Sequence, residues 1–344
     1  MLGLDNGITM LNAKTKFVVI GGGTGTYSVL SGLKKYTSTI SAIVSMTDSG
    51  GSAKKERDEW GLLPSSDIRK SLIALSDVST EDNLLLRELF QYRYSEGEEL
   101  SGMTFGNLFL VTLAKLLGSQ EKAIQKAGEL LKIRGEVLPV SLSRVDLVAK
   151  YADGTEVVGE HFIDEPRHNG TIPIVSLSTR PQAKVTREAK RAILESDVVI
   201  IGPGGFYTTL LANLVIQGVP EAIIKSRAQK IFILNLMSEY GQTYGFTAKK
   251  FMTELSKYVP LTILSSVLIN KEPIPGKILA RYKAFKAEPV VNDLGNNNPF
   301  KVIEKDFLSE EKIKKQKGDT LRRSLIRHDP EKLAKACIEV TRLV

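Results

Sequence analysis

A chain of 344 residues, 42% of them apolar, can bury a large core; at roughly 100–200 residues per domain it makes one large α/β unit or two smaller ones. Its single cysteine, Cys337, excludes an internal disulfide and fits a reducing compartment, so a cytoplasmic location is expected. The formal charge of +8 suits an anionic ligand. The basic residues are mixed with acids and lack interleaved aromatics, which argues against nucleic acid, and no apolar run approaches the ~20 residues that span a bilayer.

In chain order, residues 1–15 read as a leader and residues 16–344 as one α/β domain. Phe17–Ile20 reads as a short buried strand, followed by Gly21-Gly22-Gly23-Thr24-Gly25 and a helix to about Lys35. A second apolar run, Ile40–Met46, ends at Thr47-Asp48-Ser49-Gly50-Gly51-Ser52. Strand, glycine loop, helix, strand is the opening of a doubly wound, mostly parallel sheet. Residues 53–66 look polar and irregular. Helices are expected at about Asp67–Leu75, Asn83–Tyr92, 104–117 and 121–132, which makes 66–133 a helical insert. Residues 136–165 read as a small antiparallel flap, with Asp153-Gly154 as its hairpin turn. The α/β pattern then returns, with strands at Val198–Ile201, Lys230–Leu236 and Thr262–Ile269 and helices before and between them. Residues 286–318 show the least pattern. The spacing of Leu333, Ala336, Cys337 and Val340 is that of a packed helix.

Five motifs carry chemistry. Gly21, Gly22, Gly23, Thr24 and Gly25 follow a strand and open a helix, where glycine lets the backbone approach a phosphate and the helix N-terminus favours an anion. Thr26 breaks the dinucleotide fingerprint at its last glycine, which argues against NAD. Asp48 ends the second strand and could hold a ribose hydroxyl or Mg²⁺, or only cap its own turn. Asp67 and Arg69 lie in the first turn of a helix, with Ser66 as its expected N-cap; one suits a hydroxyl and the other a phosphate. Thr104 reads as another N-cap, and Gly106 in the first turn, a poor helix former, implies a close approach there. Asn107 beside it offers a donor and an acceptor. Gly202, Gly204, Gly205 and Thr208 form a second strand–glycine–helix join, expected to face the first across a crevice, and Asn235 ends the next strand. No G-x-S-x-G elbow, Cys/His cluster or H-E-x-x-H is present. No nucleophile–base pair stands out, which favours binding over covalent catalysis.

Together, Gly21–Gly25, Thr47–Ser52, Leu63-Pro64-Ser65-Ser66-Asp67-Ile68-Arg69, Phe105-Gly106-Asn107-Leu108, Gly202-Pro203-Gly204 and Asn235-Leu236-Met237 resemble the YvcK-type gluconeogenesis factors, the bacterial relatives of 2-phospho-L-lactate transferase in the CofD-like family. The resemblance implies a Rossmann-like fold and a cytoplasmic bacterial protein that binds a UDP-sugar such as UDP-N-acetylglucosamine or a similar nucleotide. It also implies a regulatory role in carbon use, cell shape and wall-precursor supply; no cofactor is identified beyond the nucleotide ligand itself. The transferase branch implies the alternative, a Mg²⁺-dependent phospholactyl transfer from a guanosine diphosphate-linked donor, with Asp48 on the metal. The chain departs from the family pattern where Ser49 replaces a second acid, at Ser65-Ser66 and Lys70, and at Ser238-Glu239-Tyr240-Gly241-Gln242. Self-association is left open.

Overall fold

The computed structural model describes residues 14–97, 99–310 and 325–341; most of the expected leader lies outside them. Strand β1 (Phe17–Gly21) is buried along its whole length. Val18 and Ile20 face one apolar core, and Phe17 and Val19 face another. Such a strand needs cover on both faces, as parallel strands joined by helices have. Helix α1 (Gly23–Leu33) leads to β2 (Ile40–Val44). Helices α2 (Gly51–Asp58), α3 (Ser66–Leu75), α4 (Glu81–Gln91), α5 (Phe105–Leu117) and α6 (Gln120–Leu130) follow before β3 (Glu136–Pro139).

Next comes a small three-stranded antiparallel sheet. β4 (Asp146–Tyr151) pairs with β5 (Glu156–Val158) through the expected hairpin, then with β6 (Ile174–Arg180). The five-residue helix α7 (Glu160–Asp164) lies between β5 and β6. The main sheet resumes with α8 (Arg187–Glu195), β7 (Val198–Ile201), a π-helical turn at Phe206–Leu211, α9 (Ala212–Leu214), α10 (Val219–Lys225) and β8 (Gln229–Ile233). It ends with α11 (Ala248–Leu255), β9 (Ser266–Asn270), α12 (Gly276–Lys283), β10 (Lys301–Lys305) and α13 (Pro330–Val340).

Seven strands make one parallel sheet in the order β10-β9-β8-β7-β1-β2-β3. This is the doubly wound α/β fold the sequence predicts. The chain moves outward from β1 through β2 and β3, then returns beside β1 at β7 and moves the other way. The switch point therefore lies between β1 and β7, where ligands of open α/β sheets bind.

Three elements differ from the sequence reading. Glu136–Pro139, expected in the flap, is instead the edge strand of the main sheet, in register with β2. The flap takes its third strand from Ile174–Arg180. Residues 51–58, within a stretch read mostly as irregular, are helical. Among the described residues no helix is long and apolar enough to cross a membrane.

Candidate ligand-binding site

The carboxyl ends of β1, β2, β7 and β8 open on a cavity of about 570 Å³, within the usual range for small-molecule sites. Gly23, Thr24 and Gly25 line it from the first glycine loop, and Gly204, Gly205 and Thr208 from the second. Because β1 and β7 are neighbours, the loops emerge side by side and abut; they do not face each other across the cavity as expected. A Cβ on Gly25 would lie 2.4 Å from the Pro203 carbonyl oxygen, and one on Gly204 would lie 3.1 Å from that of Gly22. Thr26, which breaks the dinucleotide fingerprint, donates its hydroxyl to that same Pro203 carbonyl at 3.3 Å. Its role is to fasten one loop to the other.

Gly21, Gly22 and Gly202, expected as binding residues, do not line the cavity. Gly21 is glycine because a Cβ would strike Thr26 Oγ1 at 2.4 Å, and Gly22 because one would strike Asp67 Oδ2 at 2.3 Å. Gly202 turns at φ +86 against Leu210 and the Ile233 carbonyl. These three set the packing of the floor, while Gly23, Gly25, Gly204 and Gly205 present it.

On the second wall, Asp67 and Arg69 project from α3. Asp67 accepts from Lys70 Nζ at 2.7 Å. The N-cap of α3 is Ser65, not Ser66, and its hydroxyl is turned away to donate to Glu56 at 2.6 Å. Thr104 caps α5 as expected, accepting from the Asn107 N–H. The stem of Arg69 crosses Gly106, where a Cβ would stand 2.7 Å from Arg69 Cδ; this is the close approach that the glycine implied. Asn107 is buried and does not line the cavity, and its Oδ1 accepts from Arg69 Nε at 2.7 Å.

The third wall is acidic. Asp48 Oδ1 accepts the Gly50 N–H at 3.0 Å, so it does cap its own turn, and it lines the cavity as well. Ser49, where the resemblance leads us to expect a second acid, accepts the His161 N–H at 3.0 Å. That bond seats α7 and brings Glu160 to hydrogen-bonding reach of Asp48. Asp164, on the same helix, also lines the cavity, and its Oδ1 accepts from Gln242 Nε2 at 2.9 Å. Withdrawal from bulk water raises all three carboxyls above their ordinary pKa values, and neighbouring carboxylates push the same way, most at Glu160. Glu160 and Asp164 escape sequence reasoning because α7 is too short to show a helical period.

The fourth wall is the end of β8 with the segment before α13. Asn235 donates to the Gly204 carbonyl at 2.8 Å, which leaves its Oδ1 buried without a partner. His328 is 6% exposed, and its ring donates to the backbone of Leu234. Burial lowers its pKa to about 4, so the ring is neutral near pH 7, and Nε2 is a buried acceptor without a partner. In the sequence Arg327-His328-Asp329-Pro330 resembles the family's C-terminal end, but no spacing ties His328 to this wall, since it arrives from the far end of the chain.

The model of the family described as 2-phospho-L-lactate transferase CofD matches residues 17–308. The chain belongs to the CofD family. Within it, the chain is 36% identical to the gluconeogenesis factor of Halalkalibacterium halodurans, over 95% of this chain and 96% of that one. It is 35% identical to the gluconeogenesis factor of Bacillus subtilis, over 96% and 99%. A crystal structure of a Bacillus halodurans protein superposes with a TM-score of 0.84 at 35% identity, covering 94% of this chain and 99% of that one. Family membership and fold thus agree with the glycine-loop motifs from which they were expected.

Proposed function

We propose that this CofD-family protein binds a nucleotide-sugar of the UDP-N-acetylglucosamine type. It then acts as a cytoplasmic regulator that links the ligand to carbon use, cell shape and wall-precursor supply. The observation that carries the reading is the join of two glycine loops at the switch point, with Arg69 on one side and two buried acceptors without partners on the other. A diphosphate matches exposed backbone N–H groups backed by a helix N-terminus. Asn235 Oδ1 and His328 Nε2 suit the N–H of a nucleobase or a ribose hydroxyl. The hydroxyls of a sugar suit the acidic wall of Asp48 and Glu160. The name gluconeogenesis factor, carried by the relatives, supports the link to carbon metabolism. Catalysis is not part of this reading, because no nucleophile–base pair presents itself.

The second reading is Mg²⁺-dependent phospholactyl-type transfer, and the acidic wall favours it. Asp48 and Glu160 are hard oxygen donors within hydrogen-bonding reach of each other, and Mg²⁺ is commonly held by one or two carboxylates together with substrate phosphates. Among the described residues no group of three or more His, Cys, Asp or Glu gathers at metal-binding geometry, so the ligand's own phosphates would complete the shell.

A thermal-shift panel of UDP-N-acetylglucosamine, GDP, GTP and NAD, each with and without Mg²⁺, separates the two. The regulatory reading expects the largest shift from the UDP-sugar, independent of Mg²⁺, with no product on long incubation. A Mg²⁺-dependent preference for GDP, or turnover lost in Asp48→Asn, would replace it with the transferase.

A further inference from the structure

We propose that Glu56, acting through the Asn107 amide, is a positioning residue that fixes the guanidinium of Arg69 at the cavity wall. Glu56 lies on α2, does not line the cavity and is fully buried. A buried carboxylate is costly unless every lone pair is used. Here Oε2 accepts from the Ser65 N–H at 2.8 Å and the Ser65 hydroxyl at 2.6 Å, while Oε1 accepts from Asn107 Nδ2 at 2.8 Å. Burial still lifts this carboxyl to about 7, so these bonds offset only part of its desolvation.

The directions of the bonds are what matter. Arginine can only donate, so the oxygen of the Asn107 amide must face Arg69 Nε, as it does at 2.7 Å. The amide nitrogen then points to the opposite side and requires an acceptor there. Glu56 supplies it, so the amide is held from both ends and cannot rotate without losing both bonds. Arg69 is held again where Nη1 donates to the Phe90 carbonyl at 3.2 Å, and its stem is confined by Gly106. The relay joins three helices: α2, which begins beside the Asp48 loop, α3 with Asp67 and Arg69, and α5 with Asn107. A planar, fixed guanidinium recognises a phosphate better than a mobile one because less freedom is lost on binding.

The ligand arm of the test rests on the reading of Arg69 as a phosphate contact; the second arm does not. Inorganic pyrophosphate is titrated into wild type, Arg69→Ala, Glu56→Met and the double variant. Arg69→Ala should weaken binding roughly tenfold or more, and Glu56→Met several-fold, with the double variant no weaker than Arg69→Ala alone. Losses that multiply in the double variant would overturn the relay. The Arg69 Nε–H resonance, assigned by its loss in Arg69→Lys, is followed without ligand. Its exchange with solvent should be at least about tenfold faster in Glu56→Met, the loss of about one hydrogen bond. Unchanged exchange would also overturn the relay. If Arg69→Ala leaves pyrophosphate affinity unchanged, the phosphate reading of Arg69 fails, and the exchange rates alone decide the relay. Should Glu56→Met not fold, Asn107→Leu cuts the same relay at its centre and must give the same pattern.

Discussion

Asn235 gives its amide to the Gly204 carbonyl and keeps a bare oxygen, so one side chain both fastens the second glycine loop and offers an acceptor to the cavity wall. Asn235→Leu tests both roles, because leucine, of similar volume, can neither donate to Gly204 nor accept from a ligand. Affinity for UDP-N-acetylglucosamine should fall by about 1–3 kcal/mol, the cost of a buried polar group left unpaired. Calorimetric titration checks this against inorganic pyrophosphate. A larger loss for the nucleotide-sugar means that Asn235 reads the base or ribose, and equal losses mean that it only ties down the loop. The same duality explains why site residues were unevenly legible. A glycine in a strand–loop–helix join announces a close approach but not its partner. At Gly25 the partner is the other loop, at Gly22 it is Asp67, and at Gly106 it is the stem of Arg69.

At the scale of elements, α2 shows why periodicity misses some helices. Ala53 and Glu56 are buried on it, and a charged residue at a core position erases the apolar period that would mark the helix. β3 reads as part of the flap for a different reason. Its run of Val and Leu marks a strand but not a partner, and β2 lies five helices back in sequence. The buried carboxylate of α2 also sets a pH dependence. Its folded pKa is about 7, above the ordinary 4.5. The native state therefore takes up this proton at a higher pH than the unfolded chain does. Above about pH 7 both states are ionised and the fold bears the whole penalty, on the order of 3 kcal/mol at most. That penalty is relieved as pH falls from about 7 towards 4.5. The melting temperature should rise as pH is lowered from 8 to about 5.5, and the slope should flatten in Glu56→Gln. Asp48, Glu160 and Asp164 are shifted in the same direction, so some slope must survive in the variant. A slope equal to wild type would mean that Glu56 does not titrate in this window.

At the scale of the molecule, the doubly wound sheet and its two glycine joins were legible because each is a local pattern: an apolar run, a glycine loop, a helix. The wall built from residues 326–328 was not, because only tertiary packing carries the end of the chain back to the switch point. That packing runs through α13. A Cβ on Gly32 of α1 would fall 2.0 Å from the Pro330 carbonyl oxygen, so α1 and α13 are in direct backbone contact. The other end of α1 is the first glycine loop. Moving α13 should therefore disturb the cavity from a distance. Gly32→Ala forces the two helices apart, and overpacking of this kind costs about 1–3 kcal/mol. Cys337 reports on the shift without any label. It is the chain's single cysteine and is fully buried in α13, where burial raises its thiol to about 12 and keeps it inert. In wild type a maleimide should react slowly; in Gly32→Ala it should react faster, and affinity for UDP-N-acetylglucosamine should fall together with the melting temperature. Saturating ligand should slow the maleimide reaction in the variant, because a ligand held by His328 favours the docked position of the segment that leads into α13. Faster labelling with unchanged affinity would separate the helix from the site and show that the fourth wall is held by β8 alone.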